Sequence, residues 1–165
     1  MKKIFTILAI VGLFSLQSCT VNDGPIVDND TISEVFEVTT SFNSTNNYSK
    51  LVTLNPSIFS SDVVLVYRLS GSTPQGDVWK LLPETHYFSD GTLDFGYDYD
   101  YTTTDISVYM IGNNLQTVST DFRLNQVLRI VIVPAGYATL INKNSYEAVM
   151  STLKLNESQI QKIQM

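Results

Sequence analysis

The chain has 165 residues, one cysteine, one histidine and a formal net charge of -6. A lone cysteine excludes an internal disulfide framework, and a lone histidine excludes a two-histidine metal site within one copy. Apart from Lys2 and Lys3, the basic residues are scattered from Lys50 to Lys162; they give a phosphate backbone no positive face, which argues against nucleic acid as a partner.

Residues 1–18 read as a secretion signal. Met1-Lys2-Lys3 is a basic start, "IFTILAIVGLFSL" is an apolar run, and small Ser18 precedes Cys19. The run is shorter than the roughly 20 residues that a spanning helix needs. In a secreted chain an odd cysteine needs a use. "LQSC", Leu16 to Cys19, resembles the lipobox of bacterial lipoproteins, with Gln17 where a small residue is more usual. The resemblance implies cleavage before Cys19, a diacylglycerol on its sulfur and an acyl chain (palmitate) on the new N-terminus. The expected partner at this end is therefore a membrane. Loss of the two leader lysines makes the mature chain more acidic still, so attachment falls to the acyl chains.

Residues 19–31 include "TVNDGPIVDNDT", which is polar, acidic and broken by Gly24 and Pro25; they read as a flexible tether. Asp30-Thr31-Ile32 resembles the three-residue O-glycosylation signal of Bacteroidota. Residues 32–165 are the length of one domain.

Within that domain, "ISEVFEVTTSF" alternates as a strand does. "NSTNNYS" reads as a loop or wide hairpin turn into the strand "KLVTLN", and "PSIFSS" has room for one helical turn after Pro56. "DVVLVYRLSG" is β-branched and nearly continuous, which predicts a central strand covered on both faces. "GSTPQGD" is a turn. "VWKLLP" is a strand that sends Val78, Lys80 and Leu82 to one side and Trp79 and Leu81 to the other. "THYFSDGTLDFGYDYDY" reads as a hairpin turning at Ser89-Asp90-Gly91. "DISVYMIGNN" and "VLRIVIVP" complete seven or eight strands, and the expected fold is mainly β, an antiparallel sandwich or barrel-like sheet. Near the C-terminus, Tyr146, Val149, Met150 and Leu153 recur at helical spacing behind Ser145 as N-cap. This short helix is expected over a mouth or edge of the sheet, and Asn156 is expected to cap a second turn containing Ile160 and Ile163.

Tyrosine alternates with aspartate from Tyr97 to Tyr101. Alternation along a strand puts Phe95, Tyr97, Tyr99 and Tyr101 on one side and Asp98 and Asp100 on the other. The expected arrangement is rings against the core and carboxylates in water. Two sharper readings stand beside it. Trp79, Tyr97, Tyr99 and Tyr101 form a glycan-binding platform if they are exposed in a row. Asp90 and Asp94 are the candidates for calcium, an ion that wants six to eight oxygens around one point; Asp98 and Asp100 lie roughly 7 Å apart along a strand, which argues against that ion there. No other cofactor is expected.

Catalysis has little to build on. His86 reads as a rim or core residue, Cys19 is committed to lipid, and no serine sits in a nucleophile elbow. Glu84 and Asp90 are the one carboxylate pair that could act on a glycan.

The leader, the acidic tether and the phrases "DVVLVYRL", "VWKLLP" and "LRIVIVPAGY" together resemble small secreted lipoproteins of Bacteroidota that have no assigned biochemical function. The resemblance implies a cell-envelope protein, lipid-anchored at the outer membrane on either its surface or its periplasmic face. The expected role is a non-catalytic protein-binding or structural module meeting an envelope or extracellular protein, with carbohydrate binding through exposed tyrosines as the alternative.

Overall fold

The two nearly continuous apolar runs, "DVVLVYRL" and "VLRIVIV", become neighbouring strands of one sheet. The computed structural model describes residues 33–163; the leader, Cys19, the tether and Thr31 lie outside the described residues. Nine strands follow in chain order: β1 (Glu34–Thr40), β2 (Ser49–Thr53), β3 (Val63–Thr73), β4 (Gly76–Leu81), β5 (Glu84–Tyr87), β6 (Leu93–Tyr101), β7 (Asp105–Gly112), β8 (Gln126–Val133) and β9 (Gln161–Ile163). They form a five-stranded sheet in the order β4-β3-β8-β1-β9 and a four-stranded sheet in the order β2-β7-β6-β5. Every pairing is antiparallel except β1 with β9. The chain is mainly β, and the two sheets pack as a sandwich.

The sandwich core joins Phe36, Val38, Val64, Val66, Leu128, Ile130 and Ile132 of the larger sheet to Val52, Phe95, Tyr97, Ile106, Val108 and Met110 of the smaller. Each fully buried aliphatic or aromatic side chain stabilises the fold by about 1.5–3 kcal/mol relative to exposure. The other face of the larger sheet is apolar too, with Val35, Leu65, Tyr67, Val131 and Val133 all buried. Helix α3 (Tyr146–Thr152) covers it, following the short helices α1 (Thr120–Arg123) and α2 (Ala135–Ala138). This is why β3 and β8 read as nearly unbroken apolar runs: both their faces are buried.

Helix α3 has clear physical limits. The Ser145 hydroxyl caps its start by accepting from the Ala148 amide at 3.2 Å. Tyr146, Val149, Met150 and Leu153 then form one apolar stripe, all buried against the sheet. The helix ends where Lys154 turns left-handed (φ 57°). There the Leu155 amide donates to Met150 and that of Lys154 to Ser151, which satisfies the last carbonyls.

Of its two expected forms, "NSTNNYS" takes the loop: it carries the chain from one sheet to the other, since β1 and β2 pair with different neighbours. Three expectations are corrected. Helix α3 lies on a sheet face, not over a mouth or edge, because the outward residues of β3 and β8 are themselves apolar. "PSIFSS" forms turns and bends without a helix. Asn156 does cap a 3₁₀ turn, Glu157–Gln159, but Ile163 belongs to β9, which pairs with β1.

Candidate functional site

The tyrosine-aspartate stretch is β6, and its alternation is the inside and outside of the sandwich. Phe95 and Tyr97 are buried, Tyr99 is half-buried, and Tyr101 at the strand end is 40 % exposed. The Tyr97 hydroxyl donates to the Phe122 carbonyl and that of Tyr99 to the Val64 carbonyl at 2.9 Å. Burial pushes the Tyr97 pKa up to about 12 despite the nearby guanidinium of Arg68, so it remains a donor at neutral pH. Asp98 and Asp100 point the other way, beside Tyr109 and Ser107 of β7. Trp79 lies on the far side of the larger sheet, packed with the α3 cluster. Tyr97 and Tyr99 thus lie in the sandwich core, Tyr101 is exposed at the strand end and Trp79 packs on the other layer, so the four rings do not form a row.

Asp90 holds the β5–β6 turn, accepting from the Thr92 amide at 2.9 Å and the Thr92 hydroxyl at 2.7 Å. Those bonds, the hydroxyl's foremost, hold its carboxyl below the usual range. Asp94 is half-buried on β6. Among the described residues no three His, Cys, Asp or Glu side chains gather as a metal site. Glu84 is not paired with Asp90. It is buried at the start of β5, while Asp90 is exposed at the turn beyond the strand's other end.

Two buried arginines organise the polar chemistry instead. Arg68 of β3 points between the sheets and meets Glu84 in a two-pronged pair at 2.8 and 3.0 Å. Gln126 accepts from Arg68 at 3.1 Å, and Lys80 and His86 approach Glu84 at 3.2 and 3.0 Å. The guanidinium lies 4.8 Å from the centre of the Tyr97 ring. Burial acts to raise the Glu84 pKa, but the hydrogen bonds and charges of Arg68 and Lys80 outweigh it and hold the carboxyl below its usual range. This cluster ties one sheet to the other.

Arg129 of β8 points to the opposite face. It grips Glu157 with two bonds of 2.8 Å, donates to the Tyr146 hydroxyl at 2.7 Å and reaches Glu37 at 3.2 Å. Its guanidinium sits 4.1 Å from the Trp79 ring centre and 5.1 Å from that of Tyr146. Burial works against its charge, but Glu157 and Tyr146 more than compensate, and its pKa is raised. Beside it opens a recess of about 480 Å³ lined by Asp77 and Trp79 of β4, Tyr146 and Glu147 of α3, and Glu157. A fixed guanidinium, two aromatic rings and carboxylates from β4, α3 and the 3₁₀ turn make this a surface that can hold a polar or charged group.

The sequence reading missed both arginines. The available signal was their position: Arg68 interrupts "VVLVYRL" and Arg129 interrupts "LRIVIV". A charge inside a strand buried on both faces must find a partner. No family model, curated protein or solved structure matches the chain.

Proposed function

We propose that the protein is an outer-membrane lipoprotein, anchored by acyl chains on Cys19, whose sandwich serves as a non-catalytic protein-binding module. The anchor rests on the basic-then-apolar leader that closes on the only cysteine. The binding role rests on one observation: β4 is outermost in the larger sheet, and its residues are exposed apart from half-buried Trp79 and Leu81. An outermost strand carries a row of backbone donors and acceptors that an extended segment of another protein can pair with. The valine-rich strands β3 and β8 are interior and have no free edge to offer. Asp77 and Lys80 on that strand discourage indiscriminate pairing and leave the backbone open to a matched sequence. The tyrosine platform has less support, because Tyr97 is buried and the Tyr99 hydroxyl is spent on Val64.

Two experiments test the two halves. Cys19→Ser should accumulate as unprocessed precursor that takes up no labelled fatty acid; normal maturation would sink the anchor. A photo-crosslinking residue at Val78, in cells, should capture a protein that the same residue at Lys154 does not. Equal capture at both positions, or none, overturns the edge-binding role.

A further inference from the structure

The recess beside β4 and the open edge of β4 share residues, and together they define a partner more narrowly. Trp79 and Asp77 are strand residues of β4 and also line the recess. A strand added to β4 lies roughly 4.8 Å away and sends alternate side chains to that same face. The first such side chain therefore arrives over the recess.

Charge decides what kind of side chain fits. The lining carries three carboxylates, from Asp77, Glu147 and Glu157, against the single guanidinium of Arg129. Arg129 is already committed to Glu157, Glu37 and Tyr146, and among the described residues no salt bridge neutralises Asp77 or Glu147, both of which line the recess. Asp77, on β4, accepts from the Ser72 hydroxyl at 2.6 Å, and Glu147, on α3, accepts from that of Ser145 at 3.1 Å, so each carboxylate is held on its own element beside the recess. Half-buried Trp79 adds a ring whose face attracts cations, whereas Tyr146 is buried beside it with Arg129 5.1 Å from its ring centre. One face of Trp79 is taken by Arg129 at 4.1 Å, which leaves less platform for a stacked sugar.

We infer that the module takes an extended basic segment of another protein, which pairs with the β4 edge and places a lysine or arginine between Asp77 and Glu147. This rests on the protein-binding reading above and names the partner's chemistry.

The test uses the full-length protein in detergent, with Trp79, the only tryptophan in the chain, as fluorescent reporter. The probes are an alternating Lys-Val hexapeptide, its Glu-Val counterpart, and a Lys-Val peptide N-methylated on alternate amides so that it cannot pair along one edge. The Lys-Val peptide should bind saturably, and the other two should not. Changing Asp77→Asn and Glu147→Gln together should weaken it about tenfold, a loss of roughly 1.4 kcal/mol. Equal binding of Lys-Val and Glu-Val, undiminished binding of the N-methylated peptide, or an unchanged affinity in the double variant overturns the assignment. So does a Trp79 response to a neutral oligosaccharide alone, which would make the recess a sugar site. If no peptide binds while Val78 still crosslinks a protein in cells, this inference fails and the binding module stands. If neither occurs, both fall.

Discussion

Arg68 and Arg129 stand on neighbouring strands of one sheet and are almost equally buried, at 4 % and 6 % exposure, yet the carboxylates that each grips with two hydrogen bonds differ in exposure. The Arg68 partner, Glu84, has a side chain only 7 % exposed, whereas the side chain of Glu157, opposite Arg129, is 68 % exposed. The first pair is sealed between two sheets by Tyr97. The second fastens the C-terminal segment to the outside of the same sheet and forms one wall of an open recess. Both guanidiniums need carboxylates because burial without a counter-charge is costly. The partner's own exposure decides whether the pair serves only as an internal tie or also presents a surface.

The largest effect should follow from breaking the sealed pair. Glu84→Ala leaves Arg68 buried without its carboxylate, and truncating one member of such a pair costs about 3–5 kcal/mol. Urea unfolding of the variant should show that loss as a lower midpoint. A loss near zero would mean that water enters the cluster and that the two arginines are not distinct in kind.

Acid sharpens the same contrast by a smaller amount. The Glu84 carboxyl is held below its unfolded value, chiefly because Arg68 outweighs the effect of burial. Its stabilising contribution is therefore complete above the unfolded pKa, near 4.3, and is lost as pH falls through the lower folded value. Stability of the native protein should drop across that acid range. In Glu84→Gln, which cannot titrate there, that share of the slope should be absent. An identical acid slope in the two proteins would assign the titration to other carboxylates.

The layers were legible in the sequence wherever a strand's pattern reports how many of its faces are covered. The unbroken apolar runs of β3 and β8 gave strands buried on both sides, and the alternation of β6 gave rings inside and aspartates outside. Ser145 and the apolar spacing behind it marked the start and direction of α3. What the pattern could not carry was the assignment of strands to sheets, since β1 and β2 follow each other in the chain and pair elsewhere. β9 escaped because three residues are too few to show a period. The two clusters escaped for a different reason: Arg68 meets Glu84 across 16 positions and Arg129 meets Glu157 across 28, and local spacing says nothing about such pairs. The candidate recess inherits that blindness, because β4, β8, α3 and the 3₁₀ turn each supply part of it.

The smallest effect belongs to the exposed partner, and it separates the two regions most cleanly. Glu157→Gln removes one charge from a pair that water already screens, and exposed pairs contribute about 0.2–1 kcal/mol. Arg129 keeps Glu37 and Tyr146 as partners, so no uncompensated cation is left behind. Global stability should therefore fall by no more than about 1 kcal/mol, and less at high salt. The local consequence should be larger than the global one. Glu157 opens the 3₁₀ turn that leads directly into β9, and β9 is a three-residue strand held at the sheet edge by β1. Weakening that hold should speed amide exchange across Gln161–Ile163 while β3 and β8 stay protected, the pattern of a segment that opens independently of the core. Faster exchange confined to β9 would confirm that Arg129 fastens a peripheral segment. A global loss as large as that of Glu84→Ala would show instead that the C-terminal segment is part of the cooperative core, and the distinction between the two arginines would disappear.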